Sequence, residues 1–146
     1  MRILMAVDDS SFAEDVLRAV ATEVRHENTD VLVLHVLQPV VTVPPPEMDQ
    51  GYAPELEAEL GPARGLVDRI AAELRSKSGF RVQTEVLIGD VTKTIVEKAA
   101  EWRADLIALG SHGQKGILDF LLGSVAESVA RRAGCSVAII RKKVSD

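Results

Sequence analysis

Residues 105–125 read DLIALGSHGQKGILDFLLGSV, and they decide the fold. The run Asp105–Leu109 is short, apolar and strand-like, and Gly110-Ser111-His112-Gly113 follows it directly. Nine residues later comes Gly123-Ser124-Val125, the start of a helical pattern over Ser124–Ala133. A strand, a long glycine-bearing loop and a helix start form one half of a βαβ unit. Glycine lacks a Cβ, so it reaches positive φ and lets a bulky group approach the main chain. The first turn of a helix has unpaired N–H groups and a dipole that favours an anion. The segment therefore reads as a phosphate cradle. Ser124 and Glu127 also spell a capping box, and Gly110 and Gly113 also suit plain turns, so the local pattern alone leaves both readings open.

Outward from this segment, strand-like and helix-like runs alternate. Ile3–Val7 and Val31–Leu37 are continuous apolar runs, as strands buried on both faces show. Between them, Ser11 and Glu14 form a capping-box pair ahead of a helix with the stripe Ala13, Val16, Leu17, Val20, Ala21 and Val24. The stretch from Gln38 to Pro54 contains Pro44–Pro46 and reads as a mobile surface loop. A second helix carries Leu56, Leu60, Ala63, Val67, Ile70 and Leu74; Gly61-Pro62 either kinks it or marks where its firm part starts.

Arg81–Ile88 alternates polar and apolar residues, which predicts a half-exposed edge strand. Gly89-Asp90 opens a third helix with Ile95, Ala99 and Trp102, and Ser136–Arg141 is a fifth strand. Strands alternating with helices imply parallel βαβ units with right-handed crossovers, in one α/β domain spanning residues 1–146. Ligands of such sheets sit beyond the carboxyl ends of the strands, here at Asp8, Val36 and Gly110 onward.

Composition narrows the function. The chain has 146 residues and a net charge of −5, with its basic residues scattered, which argues against nucleic acid as the main partner. No apolar run reaches the ~20 residues of a membrane span, and Asp8 and Asp9 follow the first strand too soon for a signal peptide. The single Cys135 fits a reducing compartment, so the cytoplasm is the expected location. Cys135 itself reads as a small buried apolar residue, and Trp102 as core or a helix-end anchor.

The spacing Gly110-x2-Gly113-x9-Gly123-Ser124 resembles the nucleotide signature of the universal stress protein family. The opening Ile3-Leu4-Met5-Ala6-Val7-Asp8-Asp9-Ser10-Ser11, the strand end Leu34-His35-Val36-Leu37 and the closing apolar strand fall in that family's order. The resemblance implies a five-stranded parallel sheet in the order 3-2-1-4-5 with helices on both faces, a Rossmann-like, adenine-nucleotide alpha-hydrolase-like fold. It also implies ATP or ADP as ligand, with magnesium accompanying the triphosphate, and a homodimer. Carried over by position, Ala6, Val7 and Asp8 meet the adenine and ribose, with Val36 on the base. Leu109 and Gly110 start the phosphate loop, and Gly113, Gly123, Ser124 and Val125 line the phosphates. By its place inside the loop, apart from the resemblance, His112 is a further candidate phosphate contact. Some ATP-binding relatives have a hydroxyl residue after Gly-Ser-Val where this chain has Ala126, which removes one side-chain contact.

Other constellations are weaker. Asp8-Asp9-Ser10 also resembles the acidic pair of a receiver domain, but that mechanism needs an acceptor aspartate after the third strand. The one aspartate at a suitable distance, Asp49, follows the prolines instead. His26, His35 and His112 have no metal-site spacing, and His35 reads as a packed or hydrogen-bonded strand residue. No nucleophile and base pair up, and no Walker lysine is present. The expected function is a nucleotide-binding stress-response or regulatory protein, not an enzyme, with at most very slow ATP hydrolysis. The alternative is a nucleotide-independent dimeric adaptor for a protein partner. The fifth strand, Val137-Ala138-Ile139-Ile140, is the expected dimer edge.

Overall fold

Ile3, Leu4 and Met5 lie one after another without contact with water, which in a strand means that both faces are covered. They form the middle of β1 (Arg2–Ala6) in the computed structural model, which describes residues 1–24, 27–39, 54–112 and 122–142. The remaining elements are α1 (Phe12–Glu23), β2 (Asp30–Leu37), α2 (Pro54–Lys77), β3 (Arg81–Ile88), α3 (Val91–Trp102), β4 (Leu106–Gly110), α4 (Ser124–Arg132) and β5 (Ser136–Ile140). All pairings are parallel and the strand order is β3-β2-β1-β4-β5, as expected. The proline-rich segment 40–53, with Asp49, lies outside the described residues, as does His26.

The strand pleat sorts the apolar residues into two cores. Ile3, Met5, Val31 and Val33 point to the side covered by Val16, Leu17 and Val20 of α1 and Val67, Ile70 and Leu74 of α2. Leu4, Leu32, Leu34 and Ile107 point to the other side, against Ile95 and Ala99 of α3 and Ala126 and Val129 of α4. Each buried valine, leucine, isoleucine or methionine among them contributes roughly 1.5–3 kcal/mol by leaving water. The edge strand β3 buries Val82 between exposed Arg81 and Gln83, as its alternation predicts, but the contrast fades from Thr84 to Leu87, and Ile88, on the Val82 face, is 49% exposed.

Two sequence signals for helix starts turn out differently. Ser11 precedes α1 with helical angles (φ −64°, ψ −16°) and makes no side-chain cap, so the Ser11–Glu14 capping box does not form. A capping serine needs extended angles to aim its hydroxyl back at the first turn; Ser10 Oγ accepts the Phe12 amide instead, at 3.3 Å. At α4 the extended residue is Gly123 (φ −61°, ψ 155°), and Ser124 is already helical, so the Ser124–Glu127 box is absent too. Asp90, by contrast, caps α3 by accepting from the Lys93 amide at 2.9 Å.

The second helix continues through Pro62, and the first buried residue among its described side chains is Ala63, just beyond it. Trp102 is a helix-end anchor: the Arg2 guanidinium lies 4.1 Å over its ring and donates to its carbonyl at 2.9 Å. Cys135 is half-buried, less enclosed than expected, and desolvation followed by the nearby Asp105 charge pushes its thiol pKa up.

Candidate functional site

The strand order reverses between β1 and β4, so their carboxyl ends diverge and leave a crevice. The chain leaving β1 is fixed by β2. The Val7 amide donates to the Leu34 carbonyl at 2.9 Å, and His35 Nδ1 lies 2.7 Å from the Val7 carbonyl. A carbonyl oxygen only accepts, so the His35 proton sits on Nδ1. His35 is thus a hydrogen-bonded strand residue, as its sequence context suggests. Next along the chain, the Ser10 hydroxyl donates to the Asp8 carboxylate and orients it.

The end of β4 is organised by Ser111, which is buried. Its amide donates to the Ile140 carbonyl at 2.8 Å, extending the β4–β5 pairing by one step. Its carbonyl accepts the Gly123 amide at 2.7 Å, so the two ends of the glycine loop are tied together. Residues 113–121 between them, Gly113 included, lie outside the described residues.

The reason for glycine differs from the one read off the sequence. Neither Gly110 nor Gly123 has positive φ. A Cβ on Gly110 would stand 2.8 Å from Phe12 Cβ, and one on Gly123 would stand 2.8 Å from the Ser111 carbonyl oxygen. Close approach, not an unusual backbone angle, selects glycine at both positions.

These parts enclose a cleft of about 1010 Å³. Ala6, Val7 and Asp8 line it from β1, Val36 from β2, Leu109, Gly110 and His112 from β4, and Gly123, Ser124, Val125 and Ala126 from the start of α4. All the expected site residues that lie among the described residues are therefore brought together. Ala126 is 2% exposed and packs with Val36, Ile95 and Leu109, so it belongs to the core as much as to the cleft wall. Gly123 has no side chain with which to cap α4, and the first-turn N–H groups of a helix suit an anion.

The cleft also holds residues that no sequence motif pointed to. Phe12 enters from α1, Val91 and Ile95 from α3, and Glu59 and Arg69 from α2. Arg69 is the one permanently positive side chain among the described residues that line it. Helical spacing marked Ile95 as core, but nothing in the local sequence joins α1 or α2 to the end of β4. Asp8 and Asp9 both reach the cleft, yet no group of three metal-ligating side chains exists among the described residues. No helix among them is long and apolar enough to cross a membrane.

The chain resembles known proteins in sequence and fold. The chain is 28% identical to a universal stress protein of Synechocystis, with 96% of this chain and 97% of that one aligned. It superposes on the universal stress protein UspA from Lactobacillus plantarum with a TM-score of 0.84 and 25% identity, covering 97% of each chain. A universal stress protein from Archaeoglobus fulgidus, solved in complex with dAMP, aligns with a TM-score of 0.65 and 26% identity over 96% of this chain and 97% of that one. Residues 1–141 match the sequence profile of the universal stress protein family, and the chain belongs to that family.

Proposed function

We propose that the cleft binds an adenine nucleotide, ATP in particular, as a ligand and not as a substrate for rapid turnover. The observation that carries this is the meeting, in one cleft, of an oriented carboxylate and an uncapped helix start across the strand-order reversal. The dAMP bound by the Archaeoglobus fulgidus relative supports the choice of adenine. In this reading the Asp8 carboxylate accepts from the ribose hydroxyls, and Ala6, Val7, Val36 and Leu109 pack around the base. The first-turn amides of Ser124 and Val125 meet the phosphates, which Gly110 and Gly123 let approach the main chain, while Ala126 adds only apolar wall.

A magnesium ion arriving with ATP would be held mainly by the phosphates, since no protein cage for it exists among the described residues. Its chemistry would be charge neutralisation. Hydrolysis should be at most a trace, because the sequence pairs no base with a nucleophile and offers no identifiable arginine finger. Binding stabilises the fold by mass action, which makes the nucleotide a signal in a cytoplasmic stress-response role. Assembly into a dimer through β5 belongs to the same proposal.

Mass spectrometry of freshly purified, then denatured, protein tests this reading. ATP or ADP released in near-stoichiometric amount is the expected result. Purified protein that carries no nucleotide and takes none up on addition would favour the nucleotide-independent adaptor.

A further inference from the structure

One aromatic ring stands where three walls of the cleft meet. Phe12, the first residue of α1, is half-buried and lines the cleft, and its amide is held by Ser10, whose hydroxyl holds Asp8. Its Cβ and Cγ occupy the space a side chain on Gly110 would need, at 2.8 and 3.2 Å. Its ring leans on the imidazole of His112, with centroids 5.8 Å apart and planes inclined by 43°. From the other side Ser111 Oγ lies 3.1 Å from His112 Nδ1, and Ser111 is fixed through both its amide and its carbonyl. The imidazole is held at Nδ1 and along one side of its ring, and among the described residues nothing pairs with Nε2.

We propose that Phe12 is a positioning residue for the phosphate end of the bound nucleotide. Its ring holds the His112 imidazole so that Nε2–H donates to a phosphate oxygen. The inference rests on the nucleotide reading above. A serine hydroxyl both donates and accepts. With a neutral ring, Ser111 donates to Nδ1 and the ring proton sits on Nε2. With an imidazolium, Nδ1–H donates to Ser111 Oγ and Nε2 still carries a proton. In either state Nε2–H offers what a phosphate oxygen accepts. One hydrogen bond at Nδ1 leaves the ring free to pivot about it, and the Phe12 ring removes that freedom.

Calorimetry on the full chain with ATP and with adenosine tests this. Phe12→Leu keeps the Cβ and Cγ beside Gly110 and removes only the ring; Phe12→Tyr keeps the ring. The expected result is that Phe12→Leu and His112→Ala each weaken ATP about tenfold, the size of one charge-assisted hydrogen bond. Adenosine affinity should stay unchanged, and Phe12→Tyr should match wild type. The double variant should be no worse than His112→Ala alone, because the two residues act through one contact. Equal losses for ATP and adenosine, or losses that add in the double variant, would show that Phe12 only packs and would overturn the proposal. Absence of ATP binding to the wild type would remove the nucleotide reading and this inference together, an outcome distinct from either.

Discussion

The Gly123 amide donates to the Ser111 carbonyl at 2.7 Å, so the first turn of α4 is clamped to the end of β4 whatever lies between them. A Cβ on Gly123 would meet that same carbonyl oxygen at 2.8 Å and His112 Cα at 3.2 Å. Both are main-chain atoms that cannot rotate away. Gly123→Ala should therefore lower stability by about 1–3 kcal/mol, as overpacking does, and shift the N-terminus of α4. Urea unfolding measures it, and a variant as stable as wild type would mean that the clamp yields freely.

The hydrogen bond from His35 to the Val7 carbonyl joins β2 to the exit of β1 at the floor of the cleft. His35→Ala leaves that carbonyl without its side-chain partner. The expected loss is about 1–2 kcal/mol, read from thermal or urea unfolding at neutral pH. A loss within measurement error would make the contact incidental.

At the opposite end of the sheet, Arg81 donates to both carboxylate oxygens of Asp30, at 2.6 and 3.2 Å. That hydrogen bonding, opposed by desolvation and helped by the Arg81 charge, holds the Asp30 pKa below its ordinary value. A carboxylate whose pKa is depressed by folding contributes stability above its unfolded pKa, about 3.9. The contribution disappears as pH falls through the lower, folded value. Asp30→Asn should therefore be less sensitive than wild type to acid below about pH 4, with little change in slope at neutral pH. Because the pair is exposed, added salt should shrink the difference between the two proteins. Identical acid limbs would remove Asp30 from the account.

The strand β5 is the second edge of the sheet, and Val137–Ile140 are only half-buried. A charge beside such an edge discourages pairing, but Lys142 donates to Ser11 Oγ at 3.1 Å and is drawn toward the start of α1. The dimer expected through this edge should dissociate in Ile139→Lys, giving monomers by light scattering at micromolar concentration. Wild-type protein that is already monomeric there would defeat it.

Much of this was legible in sequence because buried parallel strands write continuous apolar runs, as Ile3–Met5 and Val31–Leu34 do. An edge strand such as Arg81–Ile88 writes alternation. The family resemblance then supplied the strand order and the cleft residues at the ends of β1, β2 and β4 and the start of α4, but not those of α1, α2 and α3. Capping was legible where the preceding residue is extended, at Asp90, and misleading where it is not, at Ser11. At α4 a glycine took the cap because any side chain would strike the Ser111 carbonyl. Phe12 was invisible because its role depends on the approach of α1 to the end of β4, a distance of roughly a hundred residues along the chain that no local pattern encodes.

The central claim is that a nucleotide occupies the crevice between the ends of β1 and β4. A two-dimensional amide spectrum of the full chain, titrated with ATP and magnesium, tests it most directly. The account predicts progressive, saturable shifts of Asp8, Gly110, Ser111, Gly123, Ser124 and Val125, with Arg81–Glu85 at the far end of the β3 edge unmoved. A spectrum that does not respond, or one whose shifts gather around Arg18, Thr22 and Arg141 between α1 and the end of β5, would contradict it.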